Sequence, residues 1–397
     1  MRYHAIALLS VAALLGGCSD GSAPPGDNQA NGGTVPIPPP PPPTNEEDPR
    51  LPATPFDYEG YVANAPAHLK VNVPGIGNAA ATNNTPDFNP VTNEGATLGR
   101  VLFYDTRLSA NNTTSCGSCH RQANGFGDPR QLSVGFNGGL TGRHSPGLTN
   151  AAFYERGHFF WDERANTLED QVLMPIQDPV EMGMTLPALE IKLSQVEFYE
   201  PLFQAAFGTP AVTRERISLA LAQFVRSMIS YNSKYDQAFN ASGVPDFDRV
   251  FNDREMEGLR LFTSGLDELP GRTVFCDRCH GTPAHVSPDI FNTGLDAVTT
   301  DVGAGSGKFK APSLRNIAVR APYMHDGRFR NLREVVDFYD HGIQDNPDLV
   351  EAFRDDNGNP RQLNLTRREK DALIDFMETL TDRDFLDNPM FSNPFRD

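Results

Sequence analysis

Apolar residues recur at helical spacing along much of the chain. Ile217, Leu221, Phe224, Val225 and Met228 fall three or four apart, and Thr213 stands where an N-cap hydroxyl belongs. Ala372, Leu373, Phe376, Met377 and Leu380 repeat the pattern near the end. The same period predicts helices over 93–103, 167–176, 187–198, 254–263 and 332–340. No clear series of strands appears, and the intervening stretches are rich in Gly, Asn and Pro. The pattern predicts a mainly α body with long irregular loops, a frame suited to an interior built around a large cofactor.

The body is written twice. Leu98-Gly99-Arg100-Val101-Leu102-Phe103 precedes a CGSCH string that begins at Cys116, and Glu257-Gly258-Leu259-Arg260-Leu261-Phe262 precedes a CDRCH string that begins at Cys276. Gly, Leu and Phe align at an offset of 159 and the cysteines at 160. Pro146, Leu148 and Asn150 then match Pro312, Leu314 and Asn316 at 166. Trp161, Asp162 and Arg164 match His325, Asp326 and Arg328, and Leu168 matches Leu332, all at 164. The order holds while the offset drifts by small insertions. Two homologous domains are expected, 56–240 and 241–397, each with one C-x-x-C-H string.

The first 55 residues do not belong to that body. Arg2 gives a positive start, and Ala5 to Leu15 is an apolar stretch of 11 residues, too short for a bilayer and right for a signal peptide. It ends Leu15-Gly16-Gly17-Cys18, which resembles a bacterial lipobox. Residues 1–18 then read as a lipoprotein signal, with Cys18 the lipidated first residue of the mature chain; the alternative is an ordinary signal peptide cut nearby. The expected location is the periplasm, on a lipid anchor, with Ser19 after the cysteine favouring the outer membrane. Residues 19–55, with an unbroken Pro38–Pro43 run, read as a tether. At roughly 3.1 Å per residue it reaches up to about 100 Å.

Composition narrows the possibilities. With 39% hydrophobic and 21% charged residues the chain can bury a core. It has no 18-residue apolar run, so the only membrane attachment expected is the lipid. The net charge of −17, −18 once Arg2 is removed, excludes a general attraction for nucleic acid and suits a basic soluble partner.

Five cysteines are too few for a disulfide scaffold, and four of them lie in the two C-x-x-C-H strings. In such a string the thiols add across the vinyl groups of haem and the adjacent His supplies an axial nitrogen to iron. Cys116, Cys119 and His120 are assigned to one haem c, and Cys276, Cys279 and His280 to another. A four-thiolate zinc cage leaves the two histidines unexplained. A redox dithiol needs a βαβ context that is absent.

The strings LGRVLFYDTRLS before the first C-x-x-C-H, FFWDER and NTLEDQVLMPIQDPVEMG between the two, and FKAPSLRNIAVRAPYMHDG after the second resemble the bacterial di-haem cytochrome c peroxidases and their relative MauG. The resemblance spans about residues 85–385. It implies two cytochrome c-like domains, each with one covalently bound haem, facing a shared interface. It also implies reduction of hydrogen peroxide to water, with one haem binding peroxide and the other relaying electrons. Glu181, twenty residues after Trp161, takes the family's acid–base position, and Gln171 a further pocket position. Trp161, the only Trp, takes the place between the haems. Tyr339, fourteen residues after His325, takes that of the sixth ligand to the second haem, which is Met in the standard peroxidases and Tyr in MauG. Met324 matches the family string and is not expected to ligate.

Two departures from the family pattern stand out. The loop position from which a His blocks the resting peroxide haem in many members reads Phe136, which cannot ligate iron. The first haem is therefore expected to be five-coordinate or water-bound, with His144 and His158 as the loop histidines within reach. The family's calcium ion, held by backbone carbonyls here matching Arg320 and Pro322, also uses an Asn side chain. That position reads His144, a poor ligand for an oxygen-preferring cation.

The leading expectation is a peroxidase fed by a small periplasmic cytochrome c or cupredoxin. A MauG-like oxidase modifying residues of a partner protein through high-valent iron is the second. A plain electron-transfer cytochrome is the third; it would need neither Glu181 nor an open haem.

Overall fold

The computed structural model describes residues 48–263 and 276–395. The expected signal peptide, Cys18 and most of the tether lie outside the described residues. The described residues fall in one compact unit. Among the described residues no helix is long and apolar enough to cross a membrane.

The longest helices form where a polar cap precedes an apolar stripe. Thr92 accepts from Gly95 N at the start of the Asn93–Tyr104 helix, and Thr213 from Arg216 N at the start of Arg214–Ser227. Reciprocal capping boxes, Asn252 with Glu255 and Thr366 with Glu369, open the helices Asp253–Phe262 and Arg367–Glu378. These four pack in two pairs, Asn93–Tyr104 on Arg214–Ser227 and Asp253–Phe262 on Arg367–Glu378.

Both pairs cross at a glycine. A Cβ on Gly99 would stand 2.0 Å from the Ala220 carbonyl oxygen, and a Cβ on Gly258 would stand 2.0 Å from that of Ala372. Only glycine permits either approach. Other details repeat as well. Asn150 and Asn316 are both left-handed, at φ of 63° and 61°. Asn150 N donates to Met228 O and Asn316 N to Leu380 O, each at 2.9 Å. Their side-chain oxygens accept from Ser230 N and Asp382 N, each at 2.8 Å. The duplication read from the sequence is therefore present in the backbone.

Two large cores follow from it. One gathers Leu98, Val101, Phe103, Phe126, Leu221 and Phe224. The other gathers Leu261, Phe262, Leu314, Leu332, Leu373 and Phe376. Each also takes residues from the far part of the chain. Phe385, Phe391 and Phe395 pack in the first core, where Tyr58 and Tyr104 hydroxyls donate to the Met390 and Phe391 carbonyls at 2.7 and 2.6 Å. Val73, Tyr235 and Phe239 pack in the second. A buried ion cluster ties the parts together: Asp236 accepts from Arg315 at 2.6 and 2.8 Å and meets His68 Nε2 at 2.7 Å.

Three expected helices differ. The 167–176 segment is two single turns, Leu168–Gln171 and Met174–Gln177, because Pro175 inside a continuous helix would clash with the preceding turn. The 187–198 segment is Leu186–Ser194, followed by a second helix, Tyr199–Phe207, that was not among the expected ones. The 332–340 segment is α-helical over Leu332–Asp337 and then widens into a π turn, Phe338–Gly342. Sheet is confined to the two-residue antiparallel pair Ile290–Phe291 and Phe309–Lys310 among the described residues.

Candidate functional site

Each C-x-x-C is a single helical turn, Cys116–Cys119 and Cys276–Cys279, which sets both sulfurs and the following His on one short unit. The first turn is opened by a capping box between Ser115 and Ser118. His120 Nδ1 lies 2.8 Å from Phe126 O, and His280 Nδ1 lies 3.1 Å from Pro312 O. A carbonyl can only accept, so Nδ1 carries the proton and Nε2 keeps its lone pair for a metal. Burial reinforces this by disfavouring the imidazolium: His280 is pushed down to about 4, and His120 is also lowered.

Burial pushes Cys116 and Cys276 up to about 12, and Cys119 and Cys279 up to about 11. A zinc cage or a redox dithiol wants stabilised thiolates. Among the described residues no three His, Cys, Asp or Glu side chains converge as a metal cage. Neutral thiols beside an imidazole with a free Nε2 fit covalent haem instead.

A large, mostly apolar cavity opens over the second string. Cys276, Cys279 and His280 border it, as do Tyr339 and Trp161. Tyr339 enters from the π turn, a distortion often found at functional sites. Its ring packs on Phe338 and Phe353, and burial, with Cys279 and Cys276 next, holds the phenol well above its ordinary range. Met324 borders the same cavity.

Glu181 is on a loop strapped to the first string's side of the molecule. Asp178 Oδ1 accepts from Val180 N and Glu181 N at 2.8 and 3.0 Å, and Glu181 O accepts from Phe136 N at 3.0 Å. The Phe136 ring lies against Gly183 in the same loop. Burial pushes the Glu181 carboxyl up to about 7; Asp178 adds to the rise and Arg164 opposes it. Its charge in turn bears on Cys116 and Cys119. Gln171 is half-buried at the end of the Leu168–Gln171 turn.

Trp161 lies on a seam between the two repeats. Its Nε1 donates to His144 O at 2.7 Å, and its carbonyl accepts from Lys310 N at 2.9 Å. The counterpart bond runs from His144 N to His325 O at 2.8 Å. His144 and Lys310 are equivalent at an offset of 166, and Trp161 and His325 at 164. The two repeats thus exchange the same backbone hydrogen bond. Arg143 fastens the seam, bonding Asp162 at 2.6 Å and Asp301 at 2.7 Å while lying over Phe309, itself stacked on His325 at 3.7 Å. Lys310 is buried over Tyr154, 3.7 Å from the ring centroid, and burial pushes its amine down to about 7. Sequence reasoning missed Arg143 and Lys310. Only the FKAPS string touched Lys310, and nothing local marked Arg143.

The loop histidines are placed as follows. His144 Nδ1 is 3.2 Å from the carbonyls of Arg130 and Gln131, and the residue borders the second cavity. His158 is partly exposed, 3.9 Å from Glu163. Chemistry counts against the calcium site that the resemblance implies. Arg320, which would offer a carbonyl, carries a buried guanidinium, and the His144 ring nitrogen nearest these loops is a hydrogen-bond donor. Among the described residues no carboxylate cluster supplies the oxygens such an ion prefers. The residues present do not fit a calcium ion.

A helical fold with a duplicated C-x-x-C-H unit defines a di-haem c-type class, and comparison with known proteins gives the family. A family model described as di-haem cytochrome c peroxidase matches residues 93–243. The methylamine utilization protein MauG of Methylorubrum extorquens is 32% identical over 306 residues, 74% of this chain and 80% of that protein. Cytochrome c551 peroxidase of Nitrosomonas europaea is 30% identical over 61% of this chain and 71% of its own. The crystal structure of a MauG-like protein associated with microbial copper homeostasis aligns with a TM-score of 0.66 at 32% identity, covering 79% of this chain and 97% of that one. The chain belongs to the di-haem cytochrome c peroxidase family, an oxidoreductase family whose haem c groups the two strings would hold.

Proposed function

We propose that the protein is a di-haem c-type peroxidase that reduces hydrogen peroxide to water. The observation that carries this reading is Glu181, a carboxyl held near neutrality by burial beside the first C-x-x-C turn. When bound, the first haem supplies the iron at which peroxide is held and through which electrons arrive. Glu181 takes a proton from the inner peroxide oxygen and returns it to the outer one, so that two protons and two electrons give two waters. Phe136 walls this loop with an apolar ring and offers no ligand, which keeps peroxide access open. The Nδ1 hydrogen bonds of His120 and His280 leave Nε2 free, so that these imidazoles would hold the iron of a bound haem. Tyr339 would supply the sixth ligand to a haem held at the second string, and Trp161 would lie between the two centres along the seam. Gln171 supports the peroxide pocket. No calcium is required.

The chain is exported, anchored through a lipid on Cys18, preferentially in the outer membrane, and held off it by the tether. A net charge of −18 after processing suits a basic cytochrome c or cupredoxin as donor. Peroxide turnover with such a reduced donor tests the proposal. Glu181→Gln should lower kcat about 10²- to 10⁴-fold; full turnover by that variant would remove the proposed mechanism.

A second reading rests on Tyr339. A phenolate favours oxidised iron where Met favours reduced iron, which suits oxidation of residues on a partner protein, as in a MauG-like oxidase. Peroxide consumption without any small donor, coupled to covalent change in a partner protein, would select it.

A further inference from the structure

We propose that Arg320 is the internal counter-cation of the second haem, pairing with a propionate of the porphyrin attached at Cys276 and Cys279. The inference rests on haem occupying the second cavity, and not on the peroxidase chemistry. Arg320 is 5% exposed and borders that cavity. Its Nη2 donates to the Ser313 carbonyl, while Nε and Nη1 have no hydrogen-bond partner. Two unmet donors on a buried cation are costly, and a buried charge is kept only with an anion beside it. The titratable groups that act on it or feel it are Tyr154, Tyr323, His280 and His144, none a carboxylate.

The surroundings fix where that anion must come from. Gly125 packs on the Arg320 stem, and a Cβ on Gly147 would stand 2.3 Å from Nη1. Arg320 and Gly147 both border the cavity. Ser313, which holds Nη2, adjoins Pro312, whose carbonyl accepts from His280 Nδ1. One short segment therefore aims both the axial imidazole and the guanidinium. Thioether attachment uses only the vinyl groups, so the porphyrin keeps two carboxylates, and a permanently charged guanidinium is suited to pair with one.

The test is a spectroelectrochemical titration of the holoprotein and of Arg320→Gln and Arg320→Lys, each checked for two haems by pyridine haemochrome. Without the guanidinium the propionate charge stabilises ferric iron. Arg320→Gln should therefore shift the ferric/ferrous equilibrium of the low-spin second haem at least tenfold toward ferric, a fall of about 59 mV for one electron. Arg320→Lys should shift it less, and the first haem should move less than the second. Unchanged potentials in Arg320→Gln, or equal shifts of both haems, would overturn the assignment. Should the Gln variant fail to retain haem, resonance Raman of the wild type and the Lys variant decides. A displaced propionate-bending band is expected, and an unmoved one would overturn the proposal. Peroxide turnover plays no part in these readouts, so loss of the peroxidase reading would leave the result intact.

Discussion

At the scale of single residues, the account turns on Glu181 and Tyr339. Burial raises the Glu181 carboxyl from its ordinary value to about 7. Below that pH it is protonated and cannot accept the peroxide proton. The rate constant kcat/KM for peroxide should therefore fall about tenfold per pH unit below about 7 and level off above it. The Glu181→Gln profile should be flat through the same range; an unaltered inflection would assign it to another group. Tyr339→Phe should convert the second haem from low-spin to high-spin, read in the optical spectrum of the ferric protein, if the phenol is its ligand. Spacing alone singled out both residues, Glu181 inside the NTLEDQVLMPIQDPVEMG string and Tyr339 fourteen residues after His325. Arg143 was not, because Asp301, one of the two acids it binds, is 158 residues away and only folding brings it close. Arg320 was read only for its carbonyl. Its side chain acquires meaning through burial and two unmet donors, which no linear pattern displays.

At the scale of elements, caps and apolar stripes predicted the long helices well because both signals are local. The apolar period carried 167–176 through as one helix although Pro175 lies in it, and the π turn at Phe338–Gly342 has no sequence signal of comparable strength. The glycine crossings were visible as aligned letters, while their physical reason needed the helix pairs. Gly99→Ala would drive a methyl into the Ala220 carbonyl, and Gly258→Ala would do the same at Ala372. Each should destabilise by about 1–3 kcal/mol in denaturant unfolding of the holoprotein. An unaltered midpoint would mean that the helices separate at little cost. The Asp236 cluster gives a larger effect. Removing one partner of a buried ion pair costs about 3–5 kcal/mol, so Asp236→Asn should lower the melting temperature clearly. Arg315 and His68 hold the Asp236 carboxyl well below the ordinary carboxylate range despite its burial. Its stabilisation is therefore complete above the unfolded carboxylate value of about 4 and is lost as pH falls below it. Acid unfolding of the wild type should steepen in that window, and the Asn variant should lack the step.

At the scale of the whole molecule, the duplicated unit brings the two C-x-x-C-H turns into one body and exchanges matching hydrogen bonds across a seam. The Trp161 and His325 positions, equivalent in sequence, meet Lys310 and His144, equivalent in sequence. The duplication was legible from offsets alone. The interlocking of the cores was not, since the chain's end returns to the first core through Tyr58 and Tyr104. On the proposed reading the two centres are unequal, with Phe136 at one and Tyr339 at the other. The most direct test is the EPR spectrum of the resting ferric holoprotein. The account predicts one high-spin and one low-spin ferric haem in equal amounts, the high-spin signal converting on addition of cyanide. Two low-spin signals, neither of them altered by cyanide, would contradict an open first haem and with it the proposed chemistry.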